Sequence, residues 1–328
     1  MTSANGIMSK LLCSGVIGAL VLVGVIGLSV GADAPAASGH RYLKAGWASG
    51  GPTIVGADGK FEWELKRKDE LSDAWGLPDG GVVYSFSQRK KAAGIVRLGK
   101  DKKEMWVYTT VDKRDNHSCQ PLPGGGFLAG ETAKNGAWMV EIDANGKKVK
   151  EVKLELKVKD PHHTFRHVRK TKAGTYLAAI MNQNKTYEWD AEGKVIRTFP
   201  NGHYAAVRLA NGNTLTSGKP RNANMGGVTE YDKDGKIVWA LTKADFEKLG
   251  LKIMMICGIQ RLPNGNTVLS NVRHGSITKT GKEYKILEIS RDKKLVWFVN
   301  DPRFAKRQLG SIHILDVKGD PAKFEIYR

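Results

Sequence analysis

The sequence predicts an all-β fold, because two turn motifs recur along most of its 328 residues. The first motif is a tight turn set between apolar residues. The second, with the pattern Asp-Gly-Lys, precedes a short apolar stretch that often ends in Trp. Copies of the first motif begin at Leu77, Leu122, Thr171, Leu209 and Leu262, at intervals of 45, 49, 38 and 53 residues. Two hairpins repeated at this spacing are typical of four-stranded β-propeller blades.

Both motifs have the composition of β-hairpin turns. Asn-Gly at 211–212 and 264–265, and Asp-Gly at 58–59 and 234–235, reach positive φ at low cost. Strand-like runs such as Thr267-Val268-Leu269-Ser270 flank them. Because no long stretch has a sustained helical period, we expect no alternating α/β fold.

Two short helices are predicted between blades. The first follows Thr242, covers 244–248 and ends near Gly250. The second covers 301–308, with an acidic cap, Pro in the first turn and Gly310 after its end.

The repeats indicate six blades. Five complete units lie between Leu71 and Trp297, segment 52–65 has only the second turn with its flanking strands, and segment 310–327 has only an inner hairpin. Joined, the two end pieces complete a sixth blade, and this pairing of N- and C-terminal strands removes two open sheet edges. About 296 residues over six blades give roughly 49 each, within the usual propeller range. Four Trp residues close strands at the same phase and should pack between neighbouring blades: Trp63, Trp106, Trp239 and Trp297.

The first 32 residues lie outside this predicted ring. Lys10 precedes an uncharged run at 11–30, which ends in the small-residue pattern Val30-Gly31-Ala32. We therefore predict a signal peptide at 1–32, a linker at 33–40, a single propeller domain at 41–328, and export to the periplasm or the exterior. The alternative is a membrane anchor formed by 11–30, because a run of this length can span a bilayer.

The formal net charge of +19 bears on the partner. Such a charge suits an anionic partner, but segment 147–159 alternates Lys with apolar residues, as an outer strand with one exposed face does. A solvated basic exterior and a dedicated polyanion-binding surface both remain open. We expect a monomer whose partner is a protein or a small anionic ligand. An exported protein should not meet nucleic acid, and membrane contact requires an uncleaved N-terminal segment.

The cysteine pattern and the absence of the common catalytic motifs from the sequence give no indication of a cofactor. Cys119 and Cys257 fall on inner strands of blades three apart, whereas a disulfide needs Cα atoms within about 7 Å. Buried free thiols are therefore expected. There is no paired-Cys motif for zinc, and no Walker loop, His-Glu-x-x-His, Gly-x-Ser-x-Gly or dinucleotide fingerprint. We expect neither a cofactor nor a metal ion.

Polar residues precede the first turn of each blade, on the strand expected nearest the axis. Such side chains should converge on one mouth of the channel, where His and Arg could bind an anion or act as general acid and nucleophile. The alternative is structural, with these groups bonding between blades or to channel water. His162 and Arg169 lie near the candidates in sequence. The predicted ligand-binding residues are Asp73, His117, His163, Arg166, His167, His203, Arg208, Arg261 and His313, of which His117 and His203 are the catalytic candidates.

Segments 208–215 and 261–268, Arg-Leu-Ala-Asn-Gly-Asn-Thr-Leu and Arg-Leu-Pro-Asn-Gly-Asn-Thr-Val, carry a family resemblance. With the Asp-Gly-Lys-x-x-Trp-like elements that follow, they resemble the repeats of bacterial PQQ-like β-propeller proteins and, more distantly, the arylsulfotransferase propeller. PQQ-binding quinoprotein dehydrogenases have eight blades and a vicinal Cys pair, so the resemblance does not imply PQQ here. Similarity to arylsulfotransferases implies a channel His as transient sulfate acceptor, a role for His117 or His203.

Three functions follow as hypotheses. The leading one is an exported binding or scaffolding module with a ligand site at the channel mouth, and not an enzyme. The second is a small transferase or hydrolase that uses a channel His on an anionic or aromatic substrate. The third is a basic cell-surface module that binds polyanions.

Overall fold

The computed structural model describes residues 39–47, 50–218, 227–272, 284–304 and 308–328. The predicted signal peptide and most of the predicted linker lie outside these residues, so export stays a prediction. Within the described ranges, no helix has both the length and the apolar character needed to cross a membrane.

The strands form six antiparallel sheets arranged in a ring, which confirms the six-bladed propeller. Blades are numbered here from the first complete unit, and strands are given from the inner to the outer. Blade 1 consists of Ala74–Gly76, Val82–Ser87, Ala93–Leu98 and Glu104–Thr109. Blade 2 has an inner strand in two pieces, Asp115–Asn116 and Gln120–Pro121, followed by Phe127–Ala133, Gly136–Ile142 and Lys148–Lys153. Blade 3 consists of Val168–Lys170, Tyr176–Ile180, Lys185–Trp189 and Val195–Phe199.

The remaining blades repeat this order. Blade 4 consists of Ala206–Arg208, Thr214–Ser217, Val228–Tyr231 and Ile237–Leu241. Blade 5 consists of Met255–Arg261, Thr267–Val272, Ile286–Ile289 and Leu295–Val299. The closing blade consists of Ser311–Ile314, Tyr42–Ala45, Thr53–Val55 and Phe61–Glu64. The described 3₁₀ turns are Val111–Lys113, Pro123–Gly125, Pro161–His163, Pro302–Phe304 and Pro321–Lys323.

The closing blade confirms the predicted pairing of chain ends but corrects its composition. Ser311–Ile314 pairs antiparallel with Tyr42–Ala45, so the C-terminal segment supplies one strand and the N-terminal segment three. The predicted strand at 323–327 is wrong. Lys323 ends a 3₁₀ turn, and Phe324 has a φ of 59°, which is left-handed rather than extended. The place beside the inner strand is already taken by Tyr42–Ala45.

The turns and the tryptophans behave as predicted. Gly212 and Gly265 have φ of 85° and 86°, the left-handed values that close these hairpins and favour glycine. The Trp106 indole donates to the carbonyl oxygen of Ala144 in blade 2, and Trp239 donates in the same way to Arg291 in blade 5. Each therefore joins its own blade to the next one.

Apolar cores lie between adjacent blades, and the helices belong to these interfaces. The helix Lys243–Lys248 begins at a Thr242–Asp245 capping box and buries Phe246 against blades 4 and 5. This confirms the first predicted helix. In the second predicted helix the described residues form only the 3₁₀ turn Pro302–Phe304, and 305–307 lie outside the described part of the chain. Both described cysteines are buried free thiols, as expected.

Candidate ligand site at the entry mouth

Inner strands are all entered from one face of the ring, which we call the entry mouth. The first-motif turns lie at the other ends of these strands, at the turn mouth. At the entry mouth the inner strand of blade 2 breaks after Asp115–Asn116, which leaves His117 in the gap. The 3₁₀ turn Pro161–His163 before blade 3 brings His162 beside it, with ring centroids 5.0 Å apart.

Asp115 lies between two imidazoles. Its Oδ2 is 3.1 Å from His117 Nε2 and 2.9 Å from His162 Nδ1. Its Oδ1 accepts a hydrogen bond of 2.6 Å from the Ser87 hydroxyl. On the other side of its ring, His117 Nδ1 is 3.0 Å from Ser72 Oγ.

Glu70 and two arginines complete the group. Glu70 Oε1 is 3.6 Å from His162 Nε2, and its Oε2 accepts a hydrogen bond of 3.0 Å from Arg89 Nε. Arg166 Nη2 is 3.2 Å from the same His162 nitrogen. We call Glu70, Asp115, His117, His162 and Arg166 the entry cluster.

Both carboxylates of the entry cluster are ionised at neutral pH. Burial acts to raise the pKa of Asp115, but the charge and hydrogen bond of His117 and the hydrogen bond of His162 hold it well below its usual range. Burial likewise acts to raise the pKa of Glu70, and hydrogen bonds from His162 and Arg89 outweigh it and lower the pKa.

The two imidazoles of the cluster differ in protonation. Burial, with a contribution from the Arg166 charge, lowers the pKa of His117 to about 4, so this ring is neutral at pH 7. For His162, burial also acts to lower the pKa, but hydrogen bonds to Asp115 and Glu70 outweigh it and raise the pKa above 6.5. A neutral and a readily protonated imidazole thus share one carboxylate.

Ser72, His117 and Asp115 are connected in the order of a Ser–His–Asp triad. However, Ser72 has no exposed surface and His117 is 2% exposed. A nucleophilic serine must reach the substrate, and this hydroxyl is enclosed. The arrangement therefore orients His117 rather than supplying a serine nucleophile.

A second group of charged residues near the inner strands forms a buried ion-pair network. Asp73 Oδ2 is 2.9 Å from Arg169 Nη1, and its Oδ1 is 3.3 Å from Arg328 Nη2. Both guanidinium groups lie over the Trp75 ring, at 5.0 and 4.1 Å from its centroid. Asp73, predicted to bind a ligand, is fully buried within this network.

Two further predicted histidines contact backbone carbonyls near this mouth. His167 Nε2 donates to the carbonyl of Ser72 at 2.7 Å, and burial lowers the pKa of His167 to about 3. His203 Nδ1 donates to the carbonyl of Met181 at 3.2 Å. His163 is more exposed and pairs with Asp160 at 2.7 Å.

Three other predicted residues are not brought to the entry cluster. His313 Nδ1 accepts a backbone N–H from the inner strand of blade 1. Arg208 and Arg261 sit where the inner strands of blades 4 and 5 lead into their turns, and they pair with Glu188 and Glu230. These contacts bridge neighbouring blades.

An open cleft of about 520 Å³ adjoins the entry cluster. Glu70 belongs to both. Two other lining residues contact the cluster, because Ser87 donates to Asp115 and Arg89 donates to Glu70. The Trp47 ring, stacked on Tyr204 at 5.8 Å, forms part of the lining. The sequence analysis missed Glu70, Arg89 and Asp115. The sequence feature that could have indicated this cleft is the pair of basic runs at 66–68 and 89–91, which border it.

Comparison with known proteins supports the fold. No family model and no curated protein matches the chain. A protein of unknown function from Bacteroides caccae has a TM-score of 0.72 at 21% identity, over 84% of this chain and 98% of that chain. A streptogramin B lyase structure has a TM-score of 0.53 at 10% identity, over 84% of this chain and 87% of that chain. A PQQ-like repeat type is consistent with these neighbours and stays a prediction.

Proposed function

We propose that this protein is a binding module that holds a small ligand at the entry mouth. The observation that carries the proposal is that charged and protonatable groups of the entry cluster adjoin an open cleft. By contrast, Asp73 is enclosed between Arg169 and Arg328 and has no exposed surface. Convergent polar groups in a concave site are the usual mark of a ligand site.

The cleft suits a small anion that carries a flat apolar group. Three cationic side chains line it, Lys68, Arg89 and Lys91, together with the carboxylates of Asp69 and Glu70. Asp69 pairs with Arg67, and the Arg89 side chain is 67% exposed although it pairs with Glu70. Guanidinium groups bind sulfate, phosphate and carboxylate oxygens through paired hydrogen bonds. Trp47 offers a ring against which a flat group can pack.

Binding of p-nitrophenyl sulfate and p-nitrophenyl phosphate, followed by calorimetry on the full-length protein, tests this proposal. We expect the double variant Arg89→Gln/Lys91→Gln to bind at least about 10-fold more weakly, because two cationic partners are lost. The control is Lys103→Gln, a substitution on the outer turn of blade 1. Equal affinity in the double variant and the wild type would contradict the proposal.

The same probes separate binding from catalysis. Release of p-nitrophenol that disappears in His117→Ala, with the fold intact by circular dichroism, would favour the transferase or hydrolase. Binding without release would favour a binding module. The buried, neutral state of His117 leads us to expect binding without release.

A second candidate function, polyanion binding, is favoured by a cleft of about 740 Å³ at the turn mouth. Among the described residues, eight Lys and Arg side chains and two acidic ones line it. Heparin binding that falls steeply with added salt, and that weakens in Lys172→Gln/Lys233→Gln, would support this function. Salt-insensitive binding would exclude it.

A further inference from the structure

We propose that Asp115, His117 and His162 bind a divalent first-row transition metal ion of the zinc or iron(II) class. This inference deepens the proposed function and rests on it for one point, that ligands enter at this mouth. The metal would give an anionic ligand a direct coordination partner there.

The three ligand atoms already have the spacing of a metal site. One ligand atom from each of the three side chains lies within 4.8 Å of the other two. Asp115 Oδ2 is 3.1 Å from His117 Nε2 and 2.9 Å from His162 Nδ1. With metal–ligand bonds of about 2.0–2.1 Å, ligands at the corners of a tetrahedron are roughly 3.4 Å apart. A small outward movement would therefore admit the ion between these atoms. His162 would release its Nδ1 proton to solvent, and the single proton of neutral His117 would reside on Nδ1 instead of Nε2.

The outer groups around Asp115 and His117 match those of established metal sites. Metal-bound imidazoles usually donate their second N–H to a fixed acceptor, and metal-bound carboxylates are themselves hydrogen-bonded. Ser72 Oγ is 3.0 Å from His117 Nδ1, so it can accept the N–H of a ring that binds metal through Nε2. Ser87 holds the second oxygen of Asp115 at 2.6 Å.

On the His162 side, Glu70 provides the corresponding acceptor. If His162 binds metal through Nδ1, its Nε2 carries the proton, and Glu70 Oε1 is 3.6 Å away. Arg166 Nη2, at 3.2 Å from Nε2, would then face another donor and must turn away. A carboxylate behind a metal-bound imidazole is the arrangement that raises ligand basicity.

The donor set and its exposure indicate the kind of ion and its access. Two imidazole nitrogens and one carboxylate oxygen suit zinc or iron(II), whereas calcium and magnesium prefer oxygen ligands throughout. The His162 and Asp115 side chains are 15% and 12% exposed, and His117 is 2% exposed. The ion would thus be reached from the His162 side, which leaves a further coordination position for water or an anion.

Cobalt(II) and zinc(II), added separately to chelator-treated full-length protein, are the probes. We expect one equivalent to bind, with a visible cobalt absorption spectrum of a nitrogen and oxygen ligand set. His162→Ala should weaken binding more than about 100-fold, and Glu70→Gln about 10- to 100-fold although Glu70 is not a ligand. The matched control is His163→Ala, the neighbouring imidazole that pairs with Asp160.

His162→Ala carries the test because His162 is partly exposed, and thermal unfolding checks that the variant folds. Wild-type protein that binds no stoichiometric cobalt, or His162→Ala that retains wild-type affinity, would overturn the inference. Its failure is distinguishable from that of the proposed function, because Arg89→Gln/Lys91→Gln tests binding of the organic anion and His162→Ala tests binding of the metal alone.

Discussion

Buried charge in this ring is balanced in two different ways. Asp73 is enclosed between the guanidinium groups of Arg169 and Arg328 and has no exposed surface. Asp115 instead faces two imidazoles and stays partly accessible. Permanent cations suit a structural role, whereas imidazoles can release protons and accept a metal ion or a ligand. We therefore assign Asp73 to stability and Asp115 to the candidate site.

Asp73→Asn should lower the free energy of unfolding by about 3–5 kcal/mol, because two guanidinium groups would stay buried without their counter-charge. Urea-induced unfolding measures this loss. The control is Asp101→Asn, whose partner Lys103 is exposed and whose effect should stay within about 1 kcal/mol. Equal stability of the two variants would show that the network contributes little.

The sequence could predict only part of the candidate site. His117 was predicted because it precedes a first-motif turn. Asp115 was missed, because its contact with His162 depends on how the 3₁₀ turn before blade 3 packs against blade 2. Arg208 was selected from the same pattern, yet it directly precedes its turn and so lies at the opposite end of the inner strand. The distance of a residue from its turn decides which end of the strand it occupies, and the pattern used for the prediction did not take this distance into account.

At the scale of elements, the hairpins followed from local chemistry, whereas the strand composition of the closing blade did not. Asn-Gly and Asp-Gly turns need left-handed φ wherever they occur, so sequence alone located them. Segment 323–327 alternates polar and apolar residues like a strand, but the position beside Ser311–Ile314 that it would take in a hairpin is occupied by Tyr42–Ala45. Instead Tyr327 makes one isolated bridge with Arg261. Strand pairing depends on vacant partners, which a local pattern cannot reveal.

Thr242→Ala should destabilise the protein by about 1 kcal/mol, because the Thr242 side chain caps the helix Lys243–Lys248. We expect packing between blades 4 and 5 to weaken as well, because this helix buries Phe246 between them. Thermal or urea unfolding measures it. Lys243→Ala, which removes one exposed ion pair with Glu247, is the control and should cost about 0.5 kcal/mol or less. A Thr242→Ala variant as stable as the control would show that the cap is dispensable.

At the scale of the whole molecule, two features join the chain ends into the ring. The first is the strand pair of Ser311–Ile314 with Tyr42–Ala45. The second is His40, whose Nε2 is 2.8 Å from Glu288 of blade 5 and whose Nδ1 is 3.2 Å from Asp316 beyond the closing strand. Backbone pairing does not vary over the neutral pH range, whereas this side-chain contact depends on the His40 proton.

His40→Gln tests the pH dependence of the closure. The hydrogen bond to Glu288 raises the pKa of His40 above its ordinary 6.5, against the opposing effect of burial, and Asp316 adds to the rise. The folded state therefore holds this proton more tightly than the unfolded state. The stabilisation is fully present below pH 6.5 and is lost as pH rises through the folded-state pKa.

Because His40 is partly exposed, we expect the free energy of unfolding of the wild type to exceed that of His40→Gln by about 1 kcal/mol or less at low pH. Urea unfolding from about pH 6 to about pH 9 should show this difference shrinking. In a Glu288→Gln/Asp316→Asn background, His40→Gln should cause no pH-dependent loss of stability. An undiminished loss in that background would show that the pH dependence does not come from these two contacts.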